Sequence, residues 1–502
     1  MPPGRCGSGG PAPAVRMSPA WAAAIVAAAI LYMWLYTVVP KNVRLAGAAC
    51  AVAVPAVLLI RPRAAGLLYA APLVFGLGNA DFTLGPFHPT AATLFSAAVT
   101  ILWLLEKIVW DEPFHVPRRT GLGIAAAALA VQAVSIAVSV QVVGQHFWNA
   151  VREGTSLFLF MPVALVAVDQ ARTHGQAMNL ARSIVLSLLV LAAAGIVQYL
   201  GISGFSRVDV EIGYVYRGRI ESTFPGANVF AGFLELTVPL ALGMFIHEKS
   251  RGWKAALFAA FAAGFTATLF TFSRGGFLMT VLGSMLVLVT RFRNRPALPA
   301  LFAAAVVYIM ASNAGTFARQ LSLVTAPSDV VSQPTLVHRY ITYRSFWNTF
   351  LAHPWTGVGW GALGFFTGRT EIYTFWDIRH TISTVDIPYF GGGNSLFLNQ
   401  AVKGGIISIA SLILLCLAVL RAIASSAGRT RGLPETAAAC ALVGFAGHQL
   451  VDHLLRWPQI NAFFWLLVGI MIALSYTRAD ADAGGDPAPG AGGVPAETPR
   501  GE

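Results

Sequence analysis

The sequence predicts an all-α polytopic membrane protein with about 12–14 transmembrane helices and one large extracytoplasmic loop. Composition is the first reason, because 56% of the 502 residues are hydrophobic, only 11% are charged, and the mean hydropathy is +0.66. Soluble domains carry roughly 25% charged residues, so a surface this poor in charge must largely face lipid. The other reasons are a series of long apolar runs and the short basic connections between them.

The apolar runs give the candidate spans, which we compare with the roughly 20 residues that cross a bilayer. They cover 20–39, 45–60, 64–78, 90–106, 121–141, 152–168, 183–203, 227–247, 254–272, 274–290, 297–315, 404–421, 435–453 and 458–476. The second and third runs are short, which makes the expected count about 12–14. No clear small-residue cleavage site follows the first run, so we expect a spanning helix there and not a cleaved signal peptide.

The basic connections set the predicted orientation. With these spans, the connections that hold Lys and Arg all fall on one side, which the positive-inside rule makes the cytoplasm, together with both termini. The predicted organisation is a cytoplasmic tail over 1–19, transmembrane helices over 20–315 with an outer loop near 204–226, a large extracytoplasmic loop over 316–403, transmembrane helices over 404–476, and a disordered cytoplasmic tail over 477–502.

Arginine is also concentrated on the predicted outer side. The two outer loops hold Arg207, Arg217, Arg219, Arg319, Arg339, Arg344, Arg369 and Arg379, and Arg274 lies at an outer membrane edge. This distribution favours an anionic ligand on that face. The alternative is that long loops escape the charge rule and that nearby Asp and Glu pair with the arginines.

Several other kinds of site are disfavoured. The net charge of +12 is explained by topology, so we expect no nucleic-acid partner. The cysteines lie outside both outer loops and form no CxxC pair, which predicts neither a disulfide framework nor a cysteine metal site. No GxxxxGK[ST] loop is present, so we expect no nucleotide and no other cofactor.

Four segments carry motifs that point to a family. They are RGRIESTFPGANVFAGFLEL at 217–236, FTFSRGGFLMTVLG at 270–283, RSFWNTFLAHPWTGVGWGALGFF at 344–366 with GGGNSLFLNQAVKGGIIS at 391–408, and GHQLVDHLLRWPQINAFFWLLVGIMIAL at 447–474. In this order and spacing they resemble the O-antigen ligase and Wzy polymerase superfamily of bacterial membrane glycosyltransferases. The resemblance covers residues 200–476, about half of the chain, and the earlier helices are compatible with it.

The resemblance implies a function at the outer face of the bacterial inner membrane. Members move a glycan from an undecaprenyl-diphosphate carrier to an acceptor, without a metal, and the acceptor is lipid A core, another carrier-linked repeat or a protein. Arg219 and Arg274 match the family arginines that hold the diphosphate, and Arg344 matches a loop arginine. Charge-assisted contacts of this kind contribute roughly 1.5–3 kcal/mol each. The alternatives are pairing of Arg219 with Glu221, snorkelling of Arg274 at a helix end, and a structural role for Arg344.

The chain departs from the family pattern at one important place. The family has a histidine just before the asparagine that Asn394 matches, but Gly393 stands there. That histidine is taken as the base or orienter for the acceptor hydroxyl, a role that contributes about 10²–10⁴-fold to the rate. We expect Asn394 to orient the acceptor and His380 to act as the surrogate base, with Asp386 and His338 as alternatives in the same loop.

Polar residues inside predicted spans are further candidates, because an ionisable group at that depth must face protein or water. Glu235 lies in the middle of a span and has either a role in the substrate groove or a structural one. His448 and Asp452 are four residues apart, which predicts an interhelical tie. Pro458 is expected to begin the last helix.

Two other classes of protein remain as alternatives. A transporter or flippase of lipid-linked oligosaccharide would have inverted repeats and substrate groups near the midplane, and the sequence shows no internal repeat. A catalytically impaired member of the family with a binding role is suggested by Gly393.

Overall fold

A computed structural model describes residues 64–76, 90–109, 113–117, 121–145, 147–201, 218–312, 334–361, 395–429 and 433–483. Throughout this part of the chain the regular structure is helical, as predicted. In chain order the helices are α1 Ala64–Phe75, α2 Ala91–Val109, α3 Leu122–Gln141, α4 Phe147–Gly154, α5 Met161–Gln170, α6 His174–Leu200, α7 Ala227–His247, α8 Arg251–Phe270, α9 Arg274–Arg291, α10 Ala297–Ser312, α11 Pro334–Ala352, α12 Leu396–Arg429, α13 Leu433–His448 and α14 Pro458–Ala483.

The polytopic membrane architecture is confirmed. In the described residues, eight helices are long and apolar enough to cross a membrane, namely α2, α3, α6, α7, α8, α9, α12 and α14. Three shorter apolar helices, α1, α5 and α10, accompany them. The first two predicted spans, 20–39 and 45–60, lie outside the described residues.

Two of the spanning helices form the centre of the bundle. In α7 and in α14, 89% of the residues in the apolar window are buried by other parts of the protein, against 28% in α8 and 33% in α12. The inner pair therefore contacts protein on all sides, whereas α8 and α12 present wide apolar faces to the bilayer. Polar side chains on α7 consequently lie inside the protein and not in lipid.

The predicted span 152–168 is wrong as a single helix. The structure breaks it into α4, which ends at Gly154, and α5, which begins at Met161. Pro162 explains the restart, since proline is tolerated in the first turn of a helix but not in its interior. Side chains of α14 cover the break: Asn461 donates to the Ser156 carbonyl at 2.6 Å, and Trp465 donates to the Leu157 carbonyl at 2.8 Å.

The helix α12 begins at Leu396, eight residues before the predicted start at 404. It kinks at Gly405, whose φ of 59° lies in the left-handed region. The segment 353–361 lies against the kink, where the Ile406 amide donates to the Pro354 carbonyl at 2.8 Å and the Val358 amide donates to the Val402 carbonyl at 2.8 Å. A broken helix is tolerated at membrane depth when neighbouring protein satisfies its backbone in this way.

Candidate active site

The four motif segments meet at one end of the bundle. The connection 449–457, between α13 and α14, is the common element. The Leu396 amide at the start of α12 donates to the Gln449 carbonyl at 3.0 Å. The Tyr343 hydroxyl of α11 donates to the Val451 carbonyl at 3.3 Å. Segments far apart in sequence thus surround one small region, as expected of a composite site.

The segment before α7 holds Arg219 in place through contacts on both sides. The Ile220 amide donates to the Phe270 carbonyl of α8 at 3.1 Å. The Ser222 amide donates to Gln198 Oε1 of α6 at 3.0 Å. A loop anchored to two helices presents its side chains with little conformational freedom, so the position of Arg219 is preorganised.

Arg219 begins a chain of polar contacts that crosses the site. Its Nε donates to the Thr271 carbonyl at 2.8 Å, and its Nη2 donates to Asn228 Oδ1 at 2.7 Å. The amide of Asn228 in turn donates to Asp452 Oδ2 at 3.1 Å. Asn228 therefore links a cation to an anion and fixes the plane of the guanidinium group.

Glu221 lies close enough to Arg219 for their charges to interact. Burial raises the pKa of the Glu221 carboxyl, and the positive charge of Arg219 opposes that rise only in part. The predicted alternative, in which Arg219 pairs with Glu221, is therefore supported by an electrostatic interaction between the two side chains. Its guanidinium nevertheless bonds to Thr271 and Asn228, which shows that Glu221 is not its sole partner.

Arg274 is the first residue of α9 and is exposed. The Ser273 hydroxyl caps the helix by accepting a hydrogen bond from the Gly276 amide at 3.4 Å. A helix N-terminus carries a partial positive charge, to which Arg274 adds a full one. Because Arg219 bonds to the carbonyl of Thr271, three residues before Arg274, the two arginines lie on adjoining loops.

Backbone strain accompanies both arginines. Among the described residues, the non-glycine residues with positive φ are Ser222, at 53°, and Phe272, at 50°. Each lies within three residues of Arg219 or Arg274. Conformations of this kind cost about 1–3 kcal/mol and persist where the surroundings enforce them, commonly at functional sites.

Gly275 and Gly276 serve close packing, while the left-handed turn falls on Phe272. A Cβ on Gly275 would meet the His448 ring, 2.5 Å from Nε2 and 2.7 Å from Cδ2. A Cβ on Gly276 would lie 2.5 Å from the Ala231 Cβ of α7. The two glycines allow α9 to approach α13 and α7 closely, which brings the first turn of α9 against the His448 ring.

His448 and Glu235 form a buried pair between α13 and α7. Their Nδ1 and Oε1 atoms are 2.5 Å apart, and the two residues are 2% and 1% exposed. Asp452 makes its own tie to Asn228, and its backbone amide donates to the His448 carbonyl at 2.8 Å. The predicted interhelical tie is therefore confirmed, with Glu235 as the partner of His448.

Of the predicted site residues, Arg219 lies against the segment that precedes Arg274, through its hydrogen bond to the Thr271 carbonyl. Arg344 lies on α11 with an exposed side chain, next to Tyr343, which contacts the connection 449–457. Asn394 and His380 lie outside the described residues, as does Asp386. Asn394 immediately precedes Ser395, the described residue just before α12.

Sequence reasoning missed Asn228 and the partner of His448. Asn228 stands inside the first motif, but nothing in the sequence shows that it links Arg219 to Asp452. Glu235 and His448 are 213 residues apart, so their pairing depends on tertiary packing. The available signal was that two ionisable residues occupy predicted spans, where each needs a partner. We call Arg219, Asn228, Glu235, His448 and Asp452 the arginine cluster.

Comparison with protein families identifies the region that contains Arg274. Residues 256–413 match the family model described as O-Antigen ligase. The predicted resemblance to the O-antigen ligase and Wzy superfamily is confirmed. The match to the O-antigen ligase family includes Arg274 and Arg344, whereas Arg219, Glu235 and His448 lie outside the matched residues. No curated protein matches the chain. A multi-pass membrane protein with a general role in glycan transfer follows from the family and the helices together.

Proposed function

We propose that this protein transfers a glycan from an undecaprenyl-diphosphate carrier to an acceptor at the extracytoplasmic face of the bacterial inner membrane. The observation that carries the proposal is the joining of two arginine loops, in which Arg219 bonds to the Thr271 carbonyl just before Arg274. Two guanidinium groups and a helix N-terminus at one end of a membrane bundle suit a lipid diphosphate, whose phosphates lie at the membrane edge.

The chemistry that this arrangement supports is displacement of the carrier. The acceptor oxygen attacks the anomeric carbon of the donor sugar, the bond from that carbon to the phosphate oxygen breaks, and the electron pair leaves with the diphosphate. Negative charge therefore grows on the phosphate as the bond breaks. Arg219 is held by Thr271 and Asn228, so it stabilises that charge without reorganising. Arg274 is exposed at the start of α9, next to the segment to which Arg219 bonds.

The acceptor side of the proposal rests on the third motif. Arg344 is assigned to the acceptor or the carrier, because α11 contacts the connection 449–457. Asn394 is assigned to the acceptor hydroxyl, because an amide both donates and accepts hydrogen bonds. His380 is the first surrogate base that the sequence suggests. The acceptor is lipid A core, a second carrier-linked glycan or a protein, and each choice gives a different product from the same step.

The enzyme is favoured over a transporter by where the charged groups lie. A transporter places its substrate groups near the midplane, between structural repeats. Here Arg219 lies in the loop before α7 and Arg274 begins α9, so both stand at the same end of the bundle. That position suits a reaction at the membrane edge better than passage across it.

The test is transfer by the purified protein in liposomes. The donor is an undecaprenyl-diphosphate-linked glycan. The acceptor is lipid A core, a second carrier-linked glycan or an acceptor protein, each tested separately. Arg219→Ala and Arg274→Ala should each reduce transfer by at least ~10²-fold, since each removes a charge-assisted contact from the transition state. Lysine at either position should restore activity only in part, because ammonium lacks the bidentate geometry of guanidinium.

Arg291→Ala is the matched control, because Arg291 is exposed at the opposite end of the same helix. Its transfer rate should equal that of the wild type. Wild-type transfer by a folded Arg274→Ala protein would remove that residue from the mechanism. Absence of transfer by the wild type with all three acceptors, together with movement of labelled donor across the bilayer, would favour the transporter.

A further inference from the structure

The connection 449–457 joins the arginine cluster through Asp452, and the residues after Asp452 bring a second basic group together. His453 and Arg456 belong to this connection, and Lys403 lies in α12 just before its kink. We propose that these three residues, which we call the Lys403 group, form a subsite for an anionic substituent of the acceptor glycan, either a phosphate or a carboxylate. This inference rests on the proposed glycan transfer and names a chemical class of acceptor for it.

The ammonium group of Lys403 has unused hydrogen-bond donors. Its Nζ lies 3.4 Å from Glu153 Oε1 and 5.7 Å from the centre of the Trp360 ring. Among the residues that the structure describes, Glu153 is its only hydrogen-bond partner. An ammonium carries three N–H groups, so two of them remain for a ligand.

Lys107 shows how a structural lysine is satisfied in the same protein. Its Nζ donates to the Pro113 carbonyl at 2.9 Å and pairs with Asp169 at 2.6 Å. The Lys107 side chain is 1% exposed, against 9% for Lys403. Because attraction between opposite charges weakens with distance, the single contact of Lys403 compensates its charge less completely than the contacts of Lys107 do.

The Lys403 group reaches the surface through Arg456 and Glu153. Arg456 is exposed and lies 5.1 Å from the centre of the Trp457 ring, with no acidic side chain of the described residues within ion-pair distance. The Glu153 side chain is 33% exposed, and its Oε2 accepts a hydrogen bond from the exposed Gly361 amide at 2.7 Å. Solvent-accessible side chains therefore border the group, and an anion can approach it from the surface.

His453 adds a polar group that the protein leaves unsatisfied. Its Nε2 is buried and has no hydrogen-bond partner in the described part of the chain. Burial lowers the pKa of His453, and the positive charges of Lys403 and Arg456 lower it further, which shows that the three residues lie close together. The imidazole is therefore neutral at neutral pH and offers a ligand one N–H group without a charge.

The charges of the group favour an anion. Lys403 and Arg456 supply two positive charges, against the single negative charge of Glu153. Asp452, the acidic residue of the connection, already accepts a hydrogen bond from Asn228. A phosphate or carboxylate would accept charge-assisted hydrogen bonds here, which are roughly twice as strong as neutral ones.

The elements around the Lys403 group lead to the acceptor side of the proposed reaction. Asn394, to which the acceptor hydroxyl is assigned, stands two residues before Leu396 in the chain. The Leu396 amide begins α12 and donates to the Gln449 carbonyl of the same connection. Lys403 follows Leu396 by seven residues, a rise of roughly 10 Å along a helix. An anionic substituent near the reacting hydroxyl is therefore within reach of Lys403, while the arginine loops remain for the donor.

The test uses the full-length protein and the liposome transfer assay described above. The acceptor is offered in three forms, with a phosphate on its sugars, with a carboxylate there, and with neither. The wild type should show a KM at least about tenfold lower for the anionic forms, which corresponds to one charge-assisted contact. In Arg456→Gln and in Lys403→Gln this preference should fall below about threefold, and the change should be mainly in KM, because the contact is the same in the ground and transition states.

Glu153→Gln gives a result of opposite sign, which a purely structural ion pair would not produce. The variant keeps the shape of the side chain but removes the carboxylate that competes with the ligand for Lys403. Its KM for the anionic acceptors should fall, by on the order of twofold, and its KM for the neutral acceptor should not. Arg421→Gln is the matched control, because Arg421 is exposed in the later part of the helix that carries Lys403, and it should keep the wild-type preference.

Equal KM values of the wild type for charged and neutral acceptors would overturn the proposal, as would an unchanged preference in Arg456→Gln. If Lys403→Gln does not fold, Arg456→Gln decides, because Arg456 is exposed. Liposomes of phosphatidylcholine with and without phosphatidylglycerol separate the acceptor from a lipid headgroup. A response to phosphatidylglycerol that is lost in Arg456→Gln, without a preference among acceptors, would assign the anion to the lipid and overturn the acceptor subsite. Calorimetric binding of the three acceptors without donor gives the same comparison, so the subsite is decided even where absence of transfer refutes the proposed function.

Discussion

Two buried groups of charged side chains lie at opposite ends of α6, and they differ in how completely their charges are satisfied. We call the first the Asp169 cluster, which consists of Trp103, Lys107, His115 and Asp169. Asp169 is 0% exposed and has its ion pair with Lys107 Nζ at 2.6 Å. Trp103 and the His115 amide donate to the same carboxylate at 2.8 and 2.6 Å. This group ties α2 to α5 and leaves no oxygen of Asp169 open.

The arginine cluster lies toward the opposite end of α6, whose 27 residues span about 40 Å. It includes Arg219, which bonds to the segment just before Arg274, and a carboxylate oxygen of Glu235 without a partner in the described part of the chain. Removing one partner of a buried ion pair is strongly destabilising, whereas a buried oxygen without a partner is an exception that calls for an explanation. The two groups therefore differ in one observable respect: both oxygens of Asp169 are paired, whereas Oε2 of Glu235 is not.

The largest expected difference between the Asp169 cluster and the arginine cluster is the side of the membrane on which each of them lies. The predicted topology places the connection 292–296 in the cytoplasm and the end of α11 outside. Both Asn294 and Ala352 are exposed, so each accepts a labelling cysteine. In a variant that lacks the four native cysteines, Ala352→Cys should react with an impermeant maleimide in intact cells, and Asn294→Cys only after permeabilisation. The reverse pattern would place the arginine cluster in the cytoplasm and contradict the proposed donor.

Asp169→Ala should disrupt the Asp169 cluster and strongly lower the stability of the protein. Removing Asp169 leaves Lys107 buried without its counter-charge, and breaking such a pair costs about 3–5 kcal/mol. Thermal unfolding in detergent measures the loss. Arg182→Ala is the control, because its pair with Glu248 is partly exposed and should cost about 1 kcal/mol or less. Transfer per folded molecule should stay unchanged in both variants, and a selective loss of transfer in Asp169→Ala would mean that the Asp169 cluster also serves the reaction.

The helices that sequence predicted well are those with an uninterrupted apolar run. The bounds of α7 agree with the predicted span 227–247, and α14 begins at Pro458 as expected. The start of α12 was missed because polar residues such as Lys403 lower the hydropathy of its first turns. Tertiary contacts compensate, since Lys403 pairs with Glu153 at 3.4 Å and lies over the Trp360 ring. Hydropathy cannot register a partner that is 250 residues away in the chain.

The same limit applies to the candidate site. Motifs predicted that Arg219 and Arg274 matter, because the family signature lies in short stretches of sequence. They did not predict that Asn228 would orient Arg219, or that Glu235 would hold His448. Glu235 reaches His448 only through the packing of α7 against α13, and Arg219 reaches Asn228 through the path of the loop that leads into α7. Single-sequence patterns carry little information on either.

The smallest expected effect concerns Glu221, at the edge of the arginine cluster. Burial raises the pKa of Glu221 above its ordinary value of 4.5, against the attraction of Arg219. A carboxyl with a raised pKa in the folded state favours folding below 4.5, and that contribution is lost as pH rises through the folded pKa. Glu221→Gln should therefore raise the melting temperature at neutral pH, by on the order of 1 °C, and the gain should vanish in acid.

Glu248→Gln supplies a control of opposite sign. Burial works against the Glu248 carboxylate, but hydrogen bonds from the Ser250 backbone and Arg182 outweigh it, so its pKa is lowered below 4.5. Its contribution to stability is present above 4.5 and is lost as pH falls through the folded pKa, so Glu248→Gln should lower the melting temperature at neutral pH. Melting curves of both variants at neutral pH and in acid, on both sides of the ordinary pKa of 4.5, measure the two signs together. A fall in the melting temperature of Glu221→Gln at neutral pH would show that Glu221 is a satisfied ion-pair partner of Arg219. The arginine cluster would then be closed at that edge, as the Asp169 cluster is.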